Sequence, residues 1–336
     1  MNKVIIIAEA GVNHNGSLRK AKALIDVASK AGADFVKFQS FKANKLVSPD
    51  AQKAEYQKKN IGDNDDNQFQ MLRNLELSEE GHEELLDYCN QKNIAFFSTA
   101  FDVDGLSYLD SLGLNLFKVP SGEITNYPYL RKLAEIGKPV ILSTGMSNLL
   151  DIERALEVLE QGIDRSMITI LHCNTEYPTP MEDVNLKAMN TIESHFKTSV
   201  GYSDHTMGIE GPVVAVALGA TVIEKHFILD KNIGGPDAHF SLDEKEFTKM
   251  VKAVRIAESM MGKVNYEMTE KKKKSRQFSR SLFVVEDIKA GEVITEKNTR
   301  SIRPGFGMPP KYLKEILGRK ANRDLEKGTP LQMSDI

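Results

Sequence analysis

Two histidines stand at the ends of short apolar runs, His205 in GYSDHT and His226 in EKHF. Two lysines are embedded in apolar segments, Lys37 in DFVKFQ and Lys118 in LFKVPS. A histidine in such a place serves either as a hydrogen-bonded turn residue or as a metal ligand. A lysine buried in a strand needs either a structural ion partner or an anionic ligand. Ser121, Ser143 and Ser203 supply hydroxyls near these segments. Ammonium groups with hydroxyl donors suit a phosphate or carboxylate. Two imidazoles with open positions suit a divalent cation such as Mn²⁺. The two histidines do not form a contiguous motif of the H-E-x-x-H kind, so only the fold can bring them together. His14 and His172 stay open to either use, and His82 is expected on the exposed face of a helix.

The elements that must position these residues follow from periodicity. Short β-rich runs at residues 4–8, 35–38, 94–98, 116–119, 139–143, 168–173, 199–203 and 221–227 are each followed by a helical pattern. Strands alternating with helices imply a parallel sheet with right-handed crossovers. Eight such units match a (β/α)8 TIM barrel, typically ~250 residues. The other candidate, an open doubly wound sheet, carries G-x-G-x-x-G in its first turn; AEAGVNHNGS lacks it. Barrel chemistry sits at the C-terminal strand ends. There the sequence places Glu9, Lys37 and Gln39, Thr99, Lys118 to Glu123, Ser143, the stretch His172 to Tyr177, Ser203 to His205, and Glu224 to His226 with Asp237 beyond. Two lysines at one mouth favour the anion site, and His205 and His226 end strands that lie ~4.8 Å apart.

Hydrophobic residues at 41% and charged residues at 27% allow a substantial core. A net charge of −3 gives no basic field for nucleic acid or anionic lipid. Two cysteines, Cys89 and Cys173, make no disulfide framework and fit a reducing compartment. The run in MNKVIIIAEAG is too short for a signal-peptide core, and no segment approaches the ~18 apolar residues of a membrane span. A cytoplasmic protein without nucleic-acid or membrane partners is expected.

Two segments break the pattern. Residues 42–77 form a long polar insertion containing GDNDDNQ, of the kind that serves as a lid or stays disordered. A basic run at 271–274 reads as solvated. The expected organisation is a barrel at 1–262, a linker at 263–281 and a small, mostly β domain at 282–336. The last repeats itself, DIKAGEVI from Asp287 and DLEKGTPL from Asp324, each glycine supplying a tight turn. At this size its own core is marginal, so it is expected to dock on something.

Taken in order, IAEAGVNHNGS, KFQS, FKVPSGEITNYP, STGM, EYPTP, GYSDHT, EKHF and GPD resemble the sialic acid (nonulosonic acid) synthases. The tail, with RPG at 303–305, resembles their antifreeze-like (SAF) domain, and the likeness covers nearly the whole chain. The resemblance implies condensation of phosphoenolpyruvate with an N-acylated mannosamine-type sugar, releasing phosphate, in a homodimer with swapped C-terminal domains. It implies His205 and His226 as metal ligands, for Mn²⁺ or else Mg²⁺ or Co²⁺. Lys37, Lys118, Ser121, Ser143 and Ser203 would bind phosphoenolpyruvate, with either Asn174 or Thr175 as a further phosphate contact. Gln39, Glu123, Tyr177 and Asp237 would contact the sugar. Arg303 would reach it from the other subunit, with Phe278 beside it. Glu9 or Glu123 would handle the water. NTEYPTPMEDVNLKAM and GPDAHFSLD stand closer to legionaminic acid synthases than to strict N-acetylneuraminate synthases. The competing readings are a pseudaminate synthase, and a 3-deoxy-sugar-acid phosphate synthase, which would want arginines at the mouth. An ice-binding tail is disfavoured by Lys297, Arg300, Arg303, Lys311 and Lys314.

Overall fold

Along the strands, an apolar residue precedes a polar one by two positions: Ile7 and Glu9, Phe35 and Lys37, Phe97 and Thr99, Leu116 and Lys118, Ile141 and Ser143, Val222 and Glu224. Side chains two apart in a strand share a face, so this spacing stacks a polar layer on an apolar one. The computed structural model describes residues 3–61 and 67–336 and shows that arrangement. Strands β1 (Ile5–Gly11), β2 (Phe35–Ser40), β3 (Ala95–Ala100), β4 (Phe117–Val119), β5 (Val140–Ser143), β6 (Ile168–Cys173), β7 (Ser199–Asp204) and β8 (Val222–His226) are joined in parallel as β3-β2-β1-β8-β7-β6-β5-β4. This is the expected TIM barrel.

Ile7, Phe97, Ile141, Leu171 and Val222, with Ile5, Phe35 and Leu116 against them, fill the lumen from below. Gly201 completes that floor. A Cβ there would lie 2.4 Å from the Val222 carbonyl and 2.6 Å from Leu171, so no larger residue fits. The outward strand residues, such as Ile6, Phe38, Leu142, Ile170 and Ile223, pack under the helices in the main core. Helix ends are closed locally: Ser17 caps Leu18–Ala31 and Asp243 forms a capping box with Glu246 on Glu244–Met261.

Among the described residues, β3 and β4 share no ladder. The seam is bridged instead by Tyr129, from the helix Tyr127–Ile136, whose hydroxyl lies 2.9 Å from both the Ala100 and the Lys118 carbonyls.

Residues 62–66, the GDNDD part of the long insertion, lie outside the described residues. The rest is not simply polar. Its helices Ala43–Leu46 and Gln68–Leu75 contribute Ala43, Met71, Leu72 and Leu75 to a satellite apolar cluster with Val12 and Phe41, and Ile61 of the helix Glu55–Ile61 packs against it. His82 is a second correction: it is buried, not exposed. Its Nε2 lies 2.6 Å from Ser40 Oγ, which meets Ser98 Oγ at 2.6 Å, and its Nδ1 lies 2.8 Å from the Ser78 carbonyl oxygen.

The chain divides into two compact units, Met1–Gly262 and Lys263–Ile336. In the second, the basic run lies on an exposed short helix, Glu270–Ser275. Strands β9 (Ser281–Val284) and β10 (Thr299–Ile302) pair antiparallel, and Leu282, Val284, Ile288, Ile294, Leu325 and Leu331 lie in its core. The repeats are reciprocal: Ile288 and Leu325 bridge, the Lys327 N–H donates to Asp287 Oδ1, and the Ala290 N–H donates to Asp324 Oδ1. Gly291 and Gly328, four residues after each aspartate, have φ of 84° and 93°, the left-handed turns the repeat predicts.

Candidate active site

Parallel register sets Glu9 of β1 beside Lys37 of β2 and His226 of β8, and Ser203 of β7 beside Glu224 of β8. These residues line a cavity of about 380 Å³ at the C-terminal mouth, together with Gln39, Lys118, Ser121, Ser143, Thr175, Tyr177 and His205. Thr99, Tyr56 and Cys173 complete much of the wall.

The centre is a buried chain of alternating charge. Lys37 Nζ lies 2.6 Å from Glu9 Oε2 and 3.7 Å from Glu224 Oε2 and donates to Thr99 Oγ1 at 3.0 Å. Lys118 Nζ donates to Glu224 Oε1 at 3.2 Å, and Ser203 Oγ donates to the same oxygen at 3.1 Å. Burial pushes the Glu9 carboxyl up to about 7; Lys37 opposes the rise and Glu224 adds to it. Burial would raise Glu224 as well, but Lys118 and Lys37 outweigh it and hold that carboxyl down at about 2. The two carboxyls are thus separated by environment: Glu224 stays ionised, and Glu9 can hold or release a proton near neutrality. Burial lowers Lys118 despite Glu224, whereas at Lys37 the two carboxylates outweigh burial and raise the ammonium.

The imidazoles of His205 and His226 lie 5.5 Å apart between centroids. Burial pushes His205 down to about 4, and burial with the neighbouring His205 pushes His226 well below its ordinary value, so both rings are neutral. His205 Nδ1 donates to the Asn174 carbonyl at 2.7 Å, which leaves Nε2 as a lone pair. His226 Nδ1 is buried with no hydrogen-bond partner, as are Ser143 Oγ and Glu224 Oε2. Buried polar atoms around one cavity that lack a hydrogen bond are what a polar ligand or ion would satisfy. The donor set therefore fits a divalent cation held by two imidazoles with the remaining positions open. Among the described residues no three His, Cys, Asp or Glu side chains are grouped to hold an ion alone.

Other expected residues stand further off. Asp237 Oδ2 lies 3.7 Å from His226 Nδ1, and burial raises its carboxyl to about 7. Gln39 Nε2 donates to Glu9 Oε1 at 3.4 Å. Ser121 Oγ accepts from the Gly145 N–H at 3.0 Å, and a Cβ on Gly145 would lie 2.8 Å from that hydroxyl. Of the pair left open, Thr175 lines the cavity, while Asn174 lines only the adjoining groove and spends its amide on the Asp183 carbonyl at 2.9 Å. Glu123 is not in the cavity wall; its carboxylate accepts from Asn126 Nδ2 at 2.5 Å. Phe278 and Arg303 belong to the second unit, both exposed there.

A model of the NeuB family matches residues 24–266, and one of the SAF domain matches residues 279–336. The chain belongs to the NeuB family. It is 49% identical to the N,N'-diacetyllegionaminic acid synthase of Campylobacter jejuni, covering 97% of this chain and 98% of that one. It is 43% identical to the enzyme of the same name from Legionella pneumophila, covering 98% and 94%. Among solved structures it resembles the N-acetylneuraminic acid synthetase of Leptospira borgpetersenii, with a TM-score of 0.72 and 33% identity over 82% of this chain and 91% of that one.

In this NeuB-family barrel Glu224 and Thr99 were expected at the mouth but without a role, and Tyr56 was not expected there. The first two were legible by alternation, Glu224 two positions before His226 and Thr99 two after the buried Phe97. Tyr56 comes from the insertion and stacks on Tyr177 with centroids 5.1 Å apart, a long-range contact that no local pattern announces.

Proposed function

We propose that this nonulosonic acid synthase makes N,N'-diacetyllegionaminic acid from phosphoenolpyruvate, 2,4-diacetamido-2,4,6-trideoxymannose and water, releasing phosphate. The product is carried over from the two named relatives, and the sugar is the one that this product requires. The observation that carries the reaction is the pairing of Lys37 and Lys118 around Glu224, with Ser143 and Ser203 beside them and two neutral imidazoles on the same wall. That is a small anion site beside a candidate cation site, and no arginine lines it, among the described residues, for a second phosphate.

Lys37, Lys118 and the serine hydroxyls hold the phosphate and carboxylate of phosphoenolpyruvate against the apolar floor. His205 and His226 would hold a divalent cation, Mn²⁺ by preference, which when bound supplies Lewis-acid polarisation of the sugar's aldehyde oxygen. The methylene carbon of phosphoenolpyruvate forms the new C–C bond to that aldehyde carbon as the C=C and C=O π bonds open, and the former aldehyde oxygen takes up a proton to become a hydroxyl. Water adds to the phosphate-bearing carbon, and the C–O bond then breaks to release phosphate. Glu9, the cavity carboxyl poised near neutrality, takes the water's proton. Glu224 stays ionised and offsets cationic character at that carbon. Tyr177, with Tyr56 stacked on it, bounds the sugar side.

The test is to incubate the protein with phosphoenolpyruvate, Mn²⁺ and each of three sugars: N-acetylmannosamine, the 6-deoxy diacetamido sugar and its altrose-type isomer. Phosphate release and product mass are read. Preference for the diacetamido mannose-type sugar by ~10-fold or more in kcat/KM supports the proposal. Preference for either other sugar overturns the sugar assignment, and no phosphate release with any of them overturns the reaction.

A further inference from the structure

We propose that Asp204 and Lys225, an ion pair buried outside the barrel lumen, are positioning residues that set the placement of His205 and His226 and so the affinity for the divalent cation. This rests on the reading that the two imidazoles hold that cation.

Alternation gives the starting point. Ser203 and His205 face the lumen, and so do Glu224 and His226. Asp204 and Lys225 lie between them on the opposite faces of β7 and β8, and they are register partners. Each therefore directly precedes a candidate ligand. Asp204 is 0% and Lys225 1% exposed.

Two of their bonds reach the Thr206 backbone, in the turn carrying His205. Lys225 Nζ donates to Asp204 Oδ2 at 2.7 Å and to the Thr206 carbonyl at 2.5 Å. Asp204 Oδ1 accepts from the Thr206 N–H at 2.9 Å and from the Tyr202 hydroxyl at 3.0 Å. The residue before His205 and the residue after it are thus tied to each other and to the residue before His226. The His205 ring is aimed separately, by the Asn174 carbonyl.

A simple stability role explains this less well. A buried ion pair is a weak stabiliser, and well-packed apolar residues of similar volume often do as well or better. What the pair supplies that an apolar pair does not is direction: three of its four bonds fix the backbone of Thr206 or join β7 to β8. The helix Glu210–Ala217 closes over it from outside. A Cβ on Gly211 would stand 3.2–3.3 Å from the Asp204 carboxylate atoms, so glycine lets that helix approach the carboxylate. Supporting groups behind metal ligands typically govern affinity by ~10–100-fold.

The experiment compares wild type, Asp204→Asn and the double variant Asp204→Leu/Lys225→Met, with His226→Ala as reference. Mn²⁺ binding to the full chain is titrated by electron paramagnetic resonance without substrates, alongside circular dichroism, thermal melting and steady-state kinetics. The double variant removes both charges together and so keeps the test valid should Asp204→Asn fail to fold. The expected result is a folded double variant, melting like wild type, whose Mn²⁺ affinity falls ~10-fold or more. Its kcat falls while its KM for phosphoenolpyruvate stays within about twofold. A folded double variant with wild-type Mn²⁺ affinity overturns the inference and leaves the cation reading intact. A wild-type chain that takes up no Mn²⁺ overturns both.

Discussion

At the scale of single residues, the site depends on neutral imidazoles facing a charged chain. His226→Ala is expected to abolish phosphate release in the presence of Mn²⁺ while the chain stays folded by circular dichroism; full activity would remove His226 from the cation site. Asp237 gives a pH prediction for the metal-free protein. Its folded carboxyl is raised to about 7 from an ordinary 3.8. Between those values the folded state keeps a proton that the unfolded state has released. The resulting stability is full below the unfolded value and is lost as pH rises through about 7. Asp237→Asn, which cannot ionise, should therefore gain in melting temperature relative to wild type by ~2 °C or more between about pH 5 and about pH 8. An equal difference at both ends would mean that the carboxyl titrates normally. Residues were legible in the sequence to different depths. Lys37 and Lys118 announced themselves as charges inside apolar runs, and period-two spacing already placed Glu224 with His226. His82 stands among glutamates yet lies three residues before Leu85 and seven before Cys89, which puts it on the buried helical face and not on the exposed face expected for it. Glu123 fits by its motif, but its carboxylate turns to Asn126, a choice that only the folded turn reveals.

At the scale of elements, the strands could be read because each pairs an apolar floor residue with a polar mouth residue. The open seam between β3 and β4 could not, since no local pattern marks which neighbours share a ladder. Tyr129→Phe keeps the ring and removes the hydroxyl shared by the Ala100 and Lys118 carbonyls. It should cost ~1–3 kcal/mol in urea unfolding, the usual penalty for stranding a buried hydrogen-bonding group. It should also raise the KM for phosphoenolpyruvate, because Lys118 sits on the freed strand; no change in either would show that the seam is held by packing alone. The insertion was legible only as an interruption. Its apolar residues are spread over three short helices, too sparse to show a period, yet they build a satellite core and deliver Tyr56 to the cavity.

At the scale of the whole molecule, the two units were visible as a change of character in the chain, and the repeat in the second was visible as a repeat. Subunit exchange is a proposal that one mixing experiment can decide. Arg303→Ala alone should raise the KM for the sugar more than that for phosphoenolpyruvate. If Arg303 serves a neighbouring barrel, mixing Arg303→Ala with inactive His226→Ala chains should produce some dimers with one barrel complete and raise activity above the average of the two; activity at that average would place Arg303 in its own barrel's site or in none. The apolar floor of the barrel has a last consequence, for traffic. Ile7, Phe97, Ile141, Leu171 and Val222 close the lower end, so everything enters and leaves by the mouth. In the proposed arrangement the anion held by Lys37 and Lys118 would lie deepest, with the sugar over it. Under the proposed reaction, phosphoenolpyruvate must arrive first and phosphate must depart after the nine-carbon acid. Inorganic phosphate should then compete with phosphoenolpyruvate and not with the sugar, an inhibition pattern that steady-state rates will either display or refuse.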